Sequence, residues 1–196
     1  MRMMKLSIYI LLAATFNIFG CNAVEQHEER KSPYFSSKKF VEDQIELLDS
    51  LRPKVSKEAT LNGTSEKVIL RGNKVVWEDE LAIYANADIT DPSLEGMYKV
   101  AVIDKPSGGR RIQYTLDTAI TRENTVKSLE IDSLEGKVVS IKAHLMEDNG
   151  LFVADRHLKM KFDDKGLLEE YIMSSDQKIL TQEQVLLNVK GEIISQ

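Results

Sequence analysis

From Met97 to Ile194 apolar and polar residues alternate with a period of two, broken by short clusters of Gly, Asp, Asn and Pro. That period sends successive side chains to opposite faces of a strand. Tyr98, Val100 and Val102 are in phase in the first segment. Pro106-Ser107-Gly108-Gly109 turns it into Arg110–Asp117, where Ile112, Tyr114 and Leu116 are in phase. Val126–Ile131 is a further strand, and Glu135-Gly136 turns it into Lys137–Met146, with Val139, Ile141, Ala143 and Leu145 on one face. Asp148-Asn149-Gly150 introduces Leu151–Phe162, with Phe152, Ala154, Leu158, Met160 and Phe162 in phase. Asp163-Asp164-Lys165-Gly166 leads into Leu167–Met173, and a last pair of strands is read at Lys178–Leu180 and Val185–Ile194.

Upstream the period lengthens to that of a helix. Ser36 or Ser37 caps a helix running to Leu51, with Phe40, Val41, Ile45, Leu48 and Leu51 on one face and Pro53 beyond its end. Lys38, Lys39, Glu42, Asp43 and Glu46 cover the other face. Trp77–Ala87 predicts a second helix, with Trp77, Leu81, Tyr84, Ala85 and Asp88 on one side. Glu78, Asp79 and Glu80 fill its first turn, where the helix dipole favours negative charge. Between the helices, Asn62-Gly63 is the strongest two-residue hairpin signal. It sets Val55 opposite Leu70, Lys57 opposite Val68, Ala59 opposite Glu66 and Glu58 opposite Lys67.

About seven strands joined by short turns are sequential neighbours, hence an antiparallel meander with one buried and one solvated face. Thr181–Asn188 also fits a helix, because Thr181 and Gln184 form a capping box. Strand is preferred there, since Val185, Leu187 and Val189 alternate. The predicted class is α+β: two N-terminal helices packed on a large twisted antiparallel β-sheet, a meander that is either open or curled into a half-barrel.

The start of the chain follows a third pattern. Arg2 and Lys5 form a basic head, and the apolar run Leu6–Phe16 is far shorter than the roughly 20 residues of a membrane-spanning helix. Ile18-Phe19-Gly20 then precedes Cys21, the only cysteine. This stretch resembles a bacterial lipoprotein signal, with Ile18 and Gly20 on the pattern and Phe19 larger than the usual middle residue. The resemblance implies that Cys21 is lipidated on sulfur and becomes the new N-terminus, so that the membrane is a partner through that anchor. The layout is then a signal peptide over 1–20, a tether over 21–33 and one α+β envelope domain over 34–196. Asn22 after the cysteine, by the same resemblance, directs the protein to the outer membrane. Glu25, Glu28 and Glu29 resemble the acidic cluster that carries Bacteroidota lipoproteins to the outer face. The polar stretch Asn22–Ser32, nearly free of apolar residues, reads more simply as a solvated tether.

The first twenty residues carry two basic groups and no acidic ones, so the net charge of −5 for the whole chain becomes −7 without them. Such a surface repels phosphate backbones and anionic headgroups, which argues against nucleic acid as a partner. With Cys21 used for lipid, no internal disulfide is available.

Candidate chemistry is sparse. The histidines are His27, in the tether, and His144 and His157, on the two strands of one hairpin. A turn centred on Asn149 sets His144 near Ala154, which leaves the two imidazoles one diagonal apart. Zinc takes three or four ligands and a third is not evident, so no metal and no cofactor are assigned. Asp155, Glu169 and Glu170 project from the sheet, and nothing in the sequence selects a pair for hydrolysis. The serines lack a nucleophile elbow, and Ser107-Gly108-Gly109 lacks the Lys-Ser/Thr of a phosphate loop. No catalytic residue is assigned, and the chain is read as non-enzymatic. Asp49-Ser50-Leu51, Asp117-Thr118-Ala119 and Asp132-Ser133-Leu134 match the short motif at which Bacteroidota glycosylate envelope proteins.

Ser32-Pro33-Tyr34-Phe35-Ser36, Phe40-Val41-Glu42-Asp43-Gln44-Ile45, Trp77-Glu78-Asp79-Glu80-Leu81 and Ala87-Asp88-Ile89 together resemble a group of uncharacterised Bacteroidota lipoproteins. That resemblance implies location and no activity. The expected function is a lipid-anchored outer-membrane lipoprotein whose domain binds a protein partner or an apolar ligand. The topology also resembles half-barrel lipid and lipoprotein carriers of the LolA/LolB type, and a carboxylate-dependent hydrolase is a third class. A dry cavity of several hundred Å³ would favour the carrier.

Overall fold

The structure, a computed structural model, describes residues 32–106, 108–117, 119, 124–180 and 183–194. The first helix, α1 (Ser37–Leu51), begins where Ser36 accepts a hydrogen bond from the Lys39 amide through its hydroxyl at 3.2 Å. It stops at Arg52, whose left-handed φ of 48° sends its amide back to the Leu48 carbonyl at 2.8 Å. Two strands follow, β1 (Lys54–Leu61) and β2 (Thr64–Leu70). Asn62 and Gly63 both take positive φ, as a type I′ turn requires, and the pairing has Val55 opposite Leu70 and Glu58 opposite Lys67, as expected.

Helix α2 (Trp77–Ala85) comes after this hairpin, so only α1 precedes the sheet. It is shorter than the sequence suggested. Asp88 therefore lies beyond it and shares no helical face with Trp77, Leu81 and Tyr84, all of which are buried.

Seven further strands run in order: β3 (Tyr98–Asp104), β4 (Gly109–Leu116), β5 (Asn124–Leu134), β6 (Lys137–Asp148), β7 (Phe152–Phe162), β8 (Leu168–Ile179) and β9 (Val185–Ile194). They form a meander, and β1 adds beside β9 to give one nine-stranded sheet ordered β2-β1-β9-β8-β7-β6-β5-β4-β3. Every pairing is antiparallel. The sheet is open, with β2 and β3 at its edges.

Several expectations shift. Lys178 and Ile179 belong to β8, which continues through the polar run Ser174–Gln177 because its backbone pairs on both sides, with β7 and β9. Val139 is the extra residue of a bulge between Asp132 and Ser133, and its neighbour Val138 packs against the core instead. Val100 and Val102 are in phase with buried Tyr114, yet 52% and 59% exposed, because β3 is an edge strand. Leu51, expected on the buried stripe of α1, sits in its last turn and is exposed, whereas Gln44 is buried.

Gln44 explains how α1 meets the sheet. Its side-chain oxygen accepts the Leu168 amide at 2.9 Å and its nitrogen donates to the Gly166 carbonyl at 3.0 Å, so it joins the helix to the β7–β8 turn. Phe40, one turn earlier, meets the Phe162 ring edge-on at 5.0 Å. At the other end, Tyr34 lies edge-on to both Tyr98 and Tyr114, and its hydroxyl accepts the Gly96 amide at 2.8 Å. The core beneath includes Leu48, Leu81, Ile89, Leu129, Met160 and Leu168.

Candidate functional site: a cleft beneath the second helix

Strand registers fix a floor. Val126, Leu145 and Arg156 lie side by side across β5, β6 and β7, and Met173 pairs with Val189 across β8 and β9. Above them stand α2 and the loop that follows it. The space between is a cleft of about 890 Å³, walled by Glu80, Ile83, Tyr84, Leu94 and Tyr98. Apart from Arg156 its floor is apolar, because these positions fall on the sheet face that bears the core residues Leu158 and Met160.

Both cations of this cleft, Lys57 and Arg156, are paired with carboxylates, and Asp79, Asp88 and Asp91 add further negative charge to its wall. Glu80 accepts hydrogen bonds from Lys57 at 2.7 Å and from the Tyr171 hydroxyl at 2.8 Å. Tyr84 meets Tyr171 edge-on at 6.1 Å. Burial, together with the Glu80 charge beside them, pushes both phenols well above their ordinary range, so they stay neutral. Tyr171 reaches Glu80 only because Gly191, its partner on β9, has no side chain: a Cβ there would lie 2.0 Å from the ring. The Tyr84 hydroxyl is itself buried and without a hydrogen-bond partner among the described residues. Arg156, the second cation, donates to Glu147 at 2.9 Å, with its guanidinium carbon 6.0 Å from the Phe152 ring centre.

Asp88 and Asp91 in the wall of this space accept hydrogen bonds. Asp88 accepts from the Ser36 hydroxyl, the Lys38 amide and both the amide and hydroxyl of Thr90. Burial alone would raise its carboxyl, but these hydrogen bonds outweigh it and hold the group below the usual carboxylate range.

The singled-out residues fall elsewhere. Cys21 and His27 lie outside the described residues, as do Thr118 and the acidic cluster Glu25, Glu28 and Glu29. Asp49, Ser50 and Leu51 end α1 and are exposed. Asp132 is buried in a bidentate pair with Arg111 (2.7 and 2.9 Å) and Ser133 bonds the Arg110 carbonyl, so that motif lies within the β4–β5 ladder. Asp155 and Glu170 do not converge, since Glu170 pairs with Lys161, well along β7 from Asp155, and Glu169 is the exposed extra residue of a bulge.

The two histidines differ most from expectation. They are not a diagonal apart but directly opposite, with rings stacked at 4.4 Å. The β6–β7 turn is longer than two residues: Asn149 accepts the amides of both Leu151 and Phe152 through its side chain, and Asp148 accepts that of Gly150. That extension slides Glu147, in place of His144, opposite Ala154. The histidines face away from the cleft, on the polar side of the sheet.

The cleft itself left only weak signals in the sequence. Arg156 amid the apolar phase of its strand, and Lys57 in phase with Val55, are charged residues on a buried face, and both now line it. No protein-family model matches the chain, and comparison with curated proteins finds no match either. No helix among the described residues is long and apolar enough to cross a membrane.

Proposed function

We propose that this chain is a lipid-anchored envelope protein, held at the outer membrane through Cys21, and that its folded part binds an amphipathic, mainly apolar ligand under α2. The observation carrying the binding reading is the 890 Å³ cleft with Val126, Leu145, Met173 and Val189 at its floor. Ligand sites are concave, mostly apolar and furnished with a few placed polar groups. Arg156 and Lys57, paired with Glu147 and Glu80, are the cations of the cleft, and either can take an acidic head by exchanging its carboxylate partner. The anchoring reading rests on the sequence before Cys21.

Native mass spectrometry of protein purified from membranes tests the ligand directly, and a co-purifying lipid is expected. Met173→Trp, which fills the floor, should weaken a fluorescent fatty-acid probe at least tenfold while leaving the melting temperature nearly unchanged. Unaltered probe binding in that variant would place the ligand elsewhere. Absence of both lipid and probe binding would leave a protein-interaction domain. Transfer of the lipid to acceptor vesicles would make the protein a carrier, a role for which an open sheet with an accessible apolar floor suffices. Cys21→Ser should move the protein out of the detergent phase, and a wild type that never enters that phase would refute the anchor.

A further inference from the structure

We propose that the polar face of the sheet carries a site for a divalent transition metal, built from His144, Asp155 and His157. It is independent of the cleft, which opens on the opposite face. His144 on β6 and His157 on β7 oppose each other, with rings nearly parallel at 10°. Asp155 precedes His157 by two residues and so shares its face. One carboxylate oxygen of Asp155 lies 2.9 Å from Nε2 of His144 and 3.3 Å from Nε2 of His157. The three residues each offer a ligand atom within 4.8 Å of the others. Ligands bound about 2.0–2.2 Å from one ion stand roughly 3 Å apart, which the two oxygen–nitrogen distances already match. A turn of the stacked rings about their Cβ–Cγ bonds brings both Nε2 lone pairs onto one ion.

The surroundings mark the carboxylate as different. On the same face Glu130 and Asp132 pair with Arg111, and Glu170 pairs with Lys161 and Lys190. Among the described residues Asp155 meets only the two imidazoles, both on a single oxygen. Two imidazole nitrogens with one carboxylate suit zinc, nickel or copper, whereas calcium and magnesium take oxygen ligands throughout. The His157 side chain is 65% exposed, so a bound ion keeps a solvent side for water. Asp176 stands opposite Asp155 on β8, its carboxylate held by Gln184 at 2.7 and 2.8 Å, and is a further oxygen donor on that side. The donors project from the middle of paired strands, which fixes their backbone, so metal binding asks only for rotation of the imidazole side chains.

Calorimetric titration of Zn²⁺ into the full chain in detergent should give one ion per chain. His144→Ala and His157→Ala should each weaken it at least tenfold, His27→Ala should leave it unchanged, and excess Ca²⁺ should not compete. Should a variant fail to fold, Ni²⁺ added to the wild type gives a second measure. It should broaden the imidazole proton signals of His144 and His157 first and leave those of His27 sharp. Wild-type zinc affinity in both histidine variants, first broadening at His27, or effective competition by Ca²⁺ would each overturn the site.

Discussion

Asp88 accepts the hydroxyl hydrogen of Ser36 at 2.9 Å, so a carboxylate from behind α2 closes the N-terminus of α1. It takes the Lys38 amide as well, while Ser36 takes that of Lys39. Two of the amides left over at the start of α1 are thereby satisfied, one by the helix's own cap and one by a residue fifty positions away.

Asp88→Ala should cost about 1–3 kcal/mol in urea unfolding, because a cap and several hydrogen bonds to a charged group are lost together. The folded carboxyl lies below its usual range. Its contribution is therefore fully present above the unfolded pKa and disappears as pH falls through the folded one. An Asp88→Ala variant as stable as the wild type at neutral pH would show that α1 needs no such cap.

Asp132 gives the acid limb a second component. The bidentate Arg111 bond, with Lys105 at 2.8 Å, brings its pKa to about 2 from the ordinary 3.8. The stabilisation is present above about pH 4 and is lost as pH falls towards 2. After discounting for solvent screening it amounts to about 1–2 kcal/mol. Arg111→Met should flatten stability against pH across that window, measured by chemical denaturation at each pH.

Gly191→Ala should destabilise by about 1–3 kcal/mol, since a methyl group cannot share space with the Tyr171 ring. Displacing Tyr171 also removes the hydroxyl from Glu80, and the loss should show as altered near-ultraviolet circular dichroism. Wild-type melting and spectrum together would mean that the ring has another resting place.

Leu48 and Leu51 offer a paired test on one helix. Leu48 is 0% exposed and Leu48→Ala should cost about 2–5 kcal/mol. Leu51 is 54% exposed, and Leu51→Ala should stay within about 0.5 kcal/mol. Thermal melts of the two variants separate a helix that covers the core from one that merely lies on it.

How much of this was legible depended on whether a local signal settled each question. The β1–β2 register could be read from Asn62-Gly63 alone, because that dipeptide admits few turns. The β6–β7 register could not, because Asn149 and Asp148 bond to amides beyond the expected turn and lengthen it. That slip concealed the His144–His157 pairing and hence the role of Asp155. Gln44 went unnoticed because a polar residue on an apolar stripe gains meaning only from the distant backbone it bonds. The exposure of Val100 and Val102 follows from an edge position, which periodicity does not encode. The cleft is a void between elements, so no run of residues announces it.

The pairing of β1 with β9 bears on the order of assembly. The hairpin β1–β2 contains only local contacts and forms early, but one side of β1 finds its partner only when β9, the last strand of the sheet, is in place. Contacts between distant parts of a chain are closed late, against loop entropy. Until then the backbone of β1 is a free edge, open to strands of other molecules while the remainder of the sheet waits. A chain threaded through a membrane from its N-terminus would hold that edge open for the whole passage, and a holding chaperone on the far side would be of most use in that interval.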